Sequence, residues 1–378
     1  MRSTVVVVTW RGRRHLTACL DAVAALDRPH RTLVVDNASD DGTAELIARH
    51  PSRPEVLRLR RNLGYAGGIA AALPRIGTPF VAWLNDDAAP EPGWLAALED
   101  ALDADRGAWA AASVLRTPDG AVQSAGVRLS GDGHGVDSVG GVPPVAGGGP
   151  AAGVESGAGV ESGSGVESVD GGESVGGVFS AGGDEPAARV ESGAGVESVG
   201  GAESVGGTGS GAAGPAREVF GFCGGAALLR TAELRAAGGV PARFFCYYED
   251  TDTAWRLRLD GGRVLLVPDA RVAHLHGAST RPGSAKFHRW NERNRLLALL
   301  RCAPGRVAAR ELARFAALTA VLPLRRLRGD PVPPANFRLA LRLRVLAELG
   351  AHAPAALLAR RGRTATARAE VWHRWAGR

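Results

Sequence analysis

Lysine is almost missing from this chain: Lys286 is the only one, against 45 basic residues in all. Arginine has taken its place throughout, which reads as a GC-rich coding bias and not as a function. Cysteine is scarce as well. Cys19, Cys223, Cys246 and Cys302 lie far apart with no CxxC spacing. This excludes a cysteine-rich zinc site or a disulfide framework and fits the reduced thiols of a cytoplasmic protein. No signal-peptide pattern precedes the run Thr4-Val5-Val6-Val7-Val8, so a cytoplasmic location is expected. Nor is there an uncharged apolar run of the roughly 18 residues that a spanning helix needs. The longest candidate, 307–324, is interrupted by Arg310, Glu311 and Arg314.

Glycine, in contrast, is in excess, at 52 of 378 residues. Much of it lies in residues 131–215, where Val-Glu-Ser recurs at 154–156, 160–162, 166–168, 190–192 and 196–198 among Gly, Ala and Ser. The repeat is too short and too poor in large apolar residues to build a solenoid core, and a disordered insertion is expected. The formal charge of +6 is unevenly spread. Residues 301–378 carry +12 and residues 1–300 carry −6. An acidic body with a basic tail points to an anionic partner surface for the tail. No nucleic-acid recognition motif or repeated aromatic platform accompanies the arginines, so nucleic acid is not the expected partner.

Hydrophobic patterning resolves the rest. Residues 4–8 read as a buried parallel strand, and Leu16, Leu20, Val23 and Leu26 as a helix within 13–26. Strands at 32–35, 55–59 and 80–84 alternate with helices at 41–49 and 64–76. That alternation predicts an α/β fold with a parallel sheet, whose ligands collect at the carboxyl ends of the strands. Three polar clusters fall at such ends: Thr9-Trp10, Asp36-Asn37 and Asn85-Asp86-Asp87. Strand patterning resumes at 218–220 and 226–229, and a mainly helical, Arg-rich region runs from about Lys286, broken at Pro331-Val332-Pro333-Pro334.

Acids crowded as in Asn85-Asp86-Asp87 repel one another unless a cation or donors sit among them. A divalent metal bridging diphosphate oxygens suits them; a solvated turn capping the next helix is the plainer alternative. Asp36 can accept from a pyrimidine N–H, or it can close an Asx turn. Asn62-Leu63-Gly64-Tyr65-Ala66-Gly67-Gly68 opens a helix, where glycines permit either ligand approach or close packing. Glu249 and Asp250 follow Phe244-Phe245-Cys246-Tyr247-Tyr248, an aromatic setting that suits a general base, with N-capping as the alternative. His274 and His276 end a further strand and share one face, in reach of metal or phosphate.

Taken together, these motifs resemble those of family 2 inverting glycosyltransferases of the GT-A fold, in particular bacterial rhamnosyltransferase-like members. The similarity runs over about 4–130 and 217–325. The resemblance implies that Thr9 and Trp10 form the base-stacking opening strand, that Asp36 binds the pyrimidine, and that Asn62, Gly64 and Gly67 belong to a nucleotide-sugar-binding hallmark. It makes Asn85, Asp86 and Asp87 the DxD-type motif, Gly224 and Gly225 the acceptor side, Asp250 or Glu249 the base, and Asp87 with His274 the ligands of Mg²⁺ or Mn²⁺. Three departures stand out: Asn85 where many members have Asp, Arg11 after the stacking aromatic, and no acid in Gly239-Val240-Pro241.

The implied architecture is a mostly parallel central sheet flanked by helices, in four segments. Residues 1–130 form the nucleotide-sugar-binding half, 131–215 the low-complexity insertion, 216–303 the acceptor half and 304–378 a basic helical extension. The implied donor is dTDP-rhamnose or a UDP-sugar, and the acceptor a glycan or polyprenyl-linked hydroxyl in cell-envelope synthesis. The rivals are a nucleotidyltransferase, which would want a Gly-rich loop after the first strand, and a non-catalytic sugar-nucleotide-binding scaffold. Apolar stripes with arginine flanks at 304–325 and 337–349 suit peripheral contact with the cytoplasmic face of a membrane, or else packing on the catalytic domain or a homodimer interface.

Overall fold

A computed structural model describes residues 1–139, 214–275, 283–328 and 335–377. The chain opens with β1 (Ser3–Thr9), α1 (Leu16–Ala24), β2 (His30–Asp36), α2 (Thr43–Arg49), β3 (Glu55–Arg58), α3 (Gly64–Ala72), β4 (Phe80–Asn85), β5 (Ala88–Pro90) and α4 (Trp94–Ala104). It continues through β6 (Ala108–Arg116), β7 (Val122–Ala125), β8 (Val127–Leu129) and β9 (Gly135–Asp137). After the repeat segment come β10 (Arg217–Glu218), β11 (Ala226–Arg230), α5 (Thr231–Ala236), α6 (Glu249–Leu259) and β12 (Arg263–His274). Four helices follow, α7 (Ala285–Cys302), α8 (Gly305–Leu327), α9 (Leu339–Ala359) and α10 (Ala365–Trp375).

The sheet order is β10-β12-β6-β11-β4-β1-β2-β3. Strands β4, β1, β2 and β3 are parallel, and β11 enters antiparallel between β4 and β6. Every residue of β1 is buried, which is why its sequence is an unbroken β-branched run and not an alternation. Val5 and Val7 meet one layer, with Leu16 and Leu20 of α1 and Leu95 and Leu98 of α4. Val6 and Val8 meet the other, with Ile69 of α3, Trp255 of α6 and Leu296 of α7. The α/β reading from the strand–helix alternation holds, and the GT-A arrangement of a parallel half joined to a mixed half is what the strand order describes.

Two of the expected boundaries fall inside packed structure. The insertion expected from 131 begins later, because β8 and β9 form a hairpin across that point. Its turn is tied by His134 N donating to Ser130 Oγ (2.8 Å), and Gly135 lies so close to Thr251 that a Cβ there would overlap Oγ1. The repeat segment itself, from 140 to 213, lies outside the described residues, as do His276 and the break at 331–334. Likewise 304 is not a seam between bodies. Val307, Phe315, Val345 and Ala356 share one core with the sheet, and Trp372 of α10 stacks on Trp255 of α6 at 5.8 Å. Arg342, expected on a basic surface flank, is 3% exposed: it lies over the Phe315 ring and donates to Thr319 Oγ1 (2.9 Å).

Candidate active site

Parallel pairing brings the three polar clusters to one end of the sheet. Thr9 is the register partner of Asp36, and Val8 that of Asn85. Asp36 is fully buried. Its Oδ1 accepts from Ser39 N (2.9 Å), while Oδ2 has no hydrogen-bonded partner and lies 3.5 Å from Arg58 Nε. Thr9 Oγ1 is likewise buried without a partner. Trp10 is 41% exposed, with the Arg11 guanidinium 5.1 Å from its ring and bidentate to Asp40 (2.6 and 2.7 Å). Burial normally matches polar atoms with hydrogen-bond partners, so two buried oxygens lacking them, close to the half-exposed Trp10 ring, mark a place shaped for something else.

The carboxylates of the Asn85-Asp86-Asp87 turn diverge. Asp86 turns toward the loop after β1, 3.3 Å from His15 Nε2, and its close carboxylate raises the His15 pKa against the effect of burial. Gly12 fits between Thr9 and Asp86 only because it lacks a side chain: a Cβ would overlap Thr9 Oγ1 and fall 2.6 Å from Asp86 Oδ2. Asp87 faces His274 instead, Oδ1 to Nε2 3.2 Å. Burial pushes the Asp87 carboxyl up, but the His274 hydrogen bond and charge outweigh it and hold the group below the usual carboxylate range. His274 Nε2 is also 3.1 Å from Asn85 Nδ2, and Nδ1 is 2.9 Å from Gln123 Oε1.

The second cluster lies on the turn entering α6. Within 245–248, the non-glycine residues Phe245, Tyr247 and Tyr248 have positive φ (68°, 69° and 69°). Such strain persists only where surroundings over-determine it. Here α7 supplies the restraint. Fully buried Asn294 directs its Nδ2 at the carbonyls of Phe244, Cys246 and Tyr247 (3.0, 2.9 and 2.8 Å), and Arg293 Nη2 donates to Phe244 O (2.7 Å). From the other side α3 closes in. Ala66 N donates to Phe245 O (3.1 Å), and a Cβ on Gly64 (φ +73°) would overlap that oxygen. A Cβ on Gly67 would meet Leu63, and one on Gly68 would meet Val8. Asn62 Oδ1 accepts from Gly64 N (2.7 Å). Gly64 therefore packs α3 against the strained turn and Gly68 packs it on β1, which is the close-packing alternative at these two positions.

That turn delivers Glu249 and Asp250 in unlike settings. Asp250 accepts from Gly224 N (2.8 Å), Thr251 N (2.6 Å) and Thr251 Oγ1 (3.2 Å). Burial raises its pKa, and these donors oppose the rise. Glu249 is buried with Oε2 unpartnered, and burial together with the Asp250 charge puts its pKa well above the usual range. One dipeptide joins the two clusters. Gly224 N donates to Asp250, and Gly225 O accepts from Asn85 N (3.0 Å). Gly224 O accepts from Tyr65 Oη (2.5 Å). Sequence reasoning missed His15, Gln123, Arg293 and Asn294, and quoted Tyr65 only within the glycine motif. Arg293 and Asn294 gave no signal because they lie in the polar run Asn291-Glu292-Arg293-Asn294-Arg295.

Comparison with known proteins bears on the family and the fold. The model of the family described as Glycosyl transferase family 2 matches residues 4–130. A galactofuranosyltransferase, GlfT1, of Mycolicibacterium smegmatis is 43% identical over 86 residues, 22% of this chain and 28% of that protein. An N-acetylglucosaminyl-diphospho-decaprenol L-rhamnosyltransferase of Mycobacterium tuberculosis is 32% identical over 130 residues, 31% of this chain and 42% of that protein. The chain thus spans less than half the length of these relatives. The crystal structure of GalNAc-T7 with UDP, GalNAc and Mn²⁺ superposes with a TM-score of 0.53 at 12% identity, over 94% of this chain and 58% of that one. At that identity the likeness concerns the fold, which is GT-A.

Proposed function

We propose, from the match of residues 4–130 to the Glycosyl transferase family 2 model, that the chain transfers a sugar from a nucleotide diphosphate to an acceptor hydroxyl with inversion. The observation that carries the proposal is the Gly224-Gly225 junction, which sets a hydrogen-bonded carboxylate, Asp250, beside the Asn85–Asp87–His274 cluster.

Asp36 Oδ2 and Thr9 Oγ1, buried and without hydrogen-bonded partners, are placed to recognise a pyrimidine edge, with Trp10 as its stacking face. A dTDP-linked or UDP-linked sugar fits that set. Gln123 Oε1 is an acceptor for His274 Nδ1–H, so a cation bound between His274 and Asp87 would displace the proton that Nε2 shares with the Asp87 carboxylate and take the Nε2 lone pair. One carboxylate oxygen and one neutral imidazole nitrogen fit a divalent cation such as Mn²⁺ or Mg²⁺. No third His, Cys, Asp or Glu completes a cluster among the described residues, which leaves room for diphosphate oxygens. Such an ion, when bound, neutralises charge on the departing diphosphate.

Asp250 is the base. Three donors favour its charged form, whereas Glu249 leaves Oε2 without a partner and burial with the Asp250 charge pushes its pKa up. The acceptor oxygen attacks the anomeric carbon, its proton passes to Asp250, and the bond from that carbon to the diphosphate oxygen breaks on the opposite face. One base with no covalent sugar intermediate gives inversion. The relatives' names suggest a polyprenyl-linked or glycan acceptor in the cell envelope. The test is a screen of UDP- and dTDP-sugars for metal-dependent transfer to such acceptors, with product anomers read by NMR. Retention of configuration, or transfer undiminished by a chelator, refutes the proposal.

A further inference from the structure

Helix α8 buries one side, yet its other side is equally apolar. Phe315 and Leu322 are buried, and Phe315 shares its core with Val345 and Leu349 of α9. Polar groups on the inner side are matched. Arg342 donates to Thr319 Oγ1 (2.9 Å) and Phe315 O (3.0 Å), and Glu311 is engaged by Arg295 and Arg310. A helix docked in this way should show water a polar face. Instead Leu318, Val321, Leu324 and Leu327 are 41%, 45%, 47% and 85% exposed. Spaced three apart, Leu318, Val321 and Leu324 form a slanting ridge within about a third of the helix circumference, with Leu327 a further step round at the helix end, and exposed alanines at 313, 316, 317 and 320 lie beside it. Arg314, Arg325 and Arg328 are exposed along its flank. The one acid of α8, Glu311, is 2% exposed and turned inward.

We infer that this outer side of α8 seats on an anionic lipid surface, with the leucine–valine ridge among the acyl chains and the arginines at the headgroups. Apolar residues flanked by cations, with no accessible acid, fit that occupant. A second copy fits poorly, because a two-fold contact through this face would set arginines against arginines. Among the described residues no helix is long and apolar enough to cross a membrane, so the contact these helices can make lies along the surface. The inference stands independently of the proposed transfer reaction.

The test is flotation of the full chain with vesicles of phosphatidylcholine alone or mixed with phosphatidylglycerol, at low and high salt. The chain should float only with the anionic vesicles, and raising the salt should weaken binding by at least about tenfold. The variant Leu318→Ser/Val321→Ser/Leu324→Ser should lose flotation, and Arg314→Gln/Arg325→Gln/Arg328→Gln should weaken it. Circular dichroism should show both folded, since every altered side chain is exposed. Failure of the full chain to float at low salt overturns the inference, as does flotation of the serine variant at the parent's level. A dimer by light scattering that the serine substitutions dissociate would also overturn it and make the face a subunit interface.

Discussion

The two halves of the site are held in different ways. The Asp36–Asn85–Asp87 half hangs from the ends of adjacent parallel strands, so its geometry follows from sheet register. The Glu249–Asp250 half sits on a turn with three positive-φ residues, restrained from outside by Asn294, Arg293 and Gly64. The donor half is therefore set by neighbouring strand ends, whereas the base is positioned by residues remote in sequence on both sides, Gly64 before it and Asn294 after it. The halves should respond differently to mutation: chemistry should fail in one, binding in the other.

The largest effect should come from the base. Asp250→Asn keeps the shape of the side chain but cannot accept the proton, and turnover should drop by about 10²–10⁴. Glu249→Gln should leave turnover within about tenfold on the same scale. The reverse pattern would transfer the role to Glu249.

Next in size is the restraint on the turn. Asn294→Ala leaves the carbonyls of Phe244, Cys246 and Tyr247 short of a buried donor. At about 1 kcal/mol for each buried bond lost, stability should fall by roughly 2–4 kcal/mol in a denaturant titration. Donor affinity in the folded protein should be unchanged. A neutral substitution would mean that the turn holds itself.

These contrasts explain what could be read in the sequence. The patterning of the first strand does not depend on remote partners: the run Val5 to Val8, buried on both sides, declares a central parallel strand, and the polar residues at strand ends declare a site. Helix α3, expected to reach Ile76, ends at Ala72 and is followed by a 3₁₀ turn containing Pro74, whose ring does not continue the helix. Strands β6 to β9 carried no comparable signal. Strand β6 is rich in alanine, which favours no strand by itself, and β7, β8 and β9 are only 4, 3 and 3 residues long, so they take their form from the strands beside them. Gln123 and Asn294 were invisible because a single amide gains meaning only from what it touches. The glycines of α3 were visible, but whether they face a ligand or Phe245 is a tertiary fact.

A smaller effect is expected from the residue that orients His274. Gln123→Leu removes the acceptor on Nδ1 and should weaken metal-dependent donor binding by about 10–100-fold. No change would separate His274 from the diphosphate site.

The smallest effect concerns pH. Burial raises the Glu249 pKa, so the folded state binds its proton over a range where the unfolded chain has released it. Stability is then lost as pH rises from about 4.3, the ordinary glutamate value, toward the raised one. Glu249→Gln should raise the melting temperature at neutral pH and leave it unchanged below about pH 4, by the same linkage. Equal gains at both would assign the effect to packing and not to charge.

The most direct test of a divided site is a titration of UDP and dTDP, with and without Mn²⁺, into Asp250→Asn and Asp87→Ala side by side. The account predicts that Asp250→Asn binds nucleotide as the parent does and with the same gain from Mn²⁺, while Asp87→Ala loses that gain. Loss of binding in Asp250→Asn, or a full Mn²⁺ gain retained in Asp87→Ala, would contradict it.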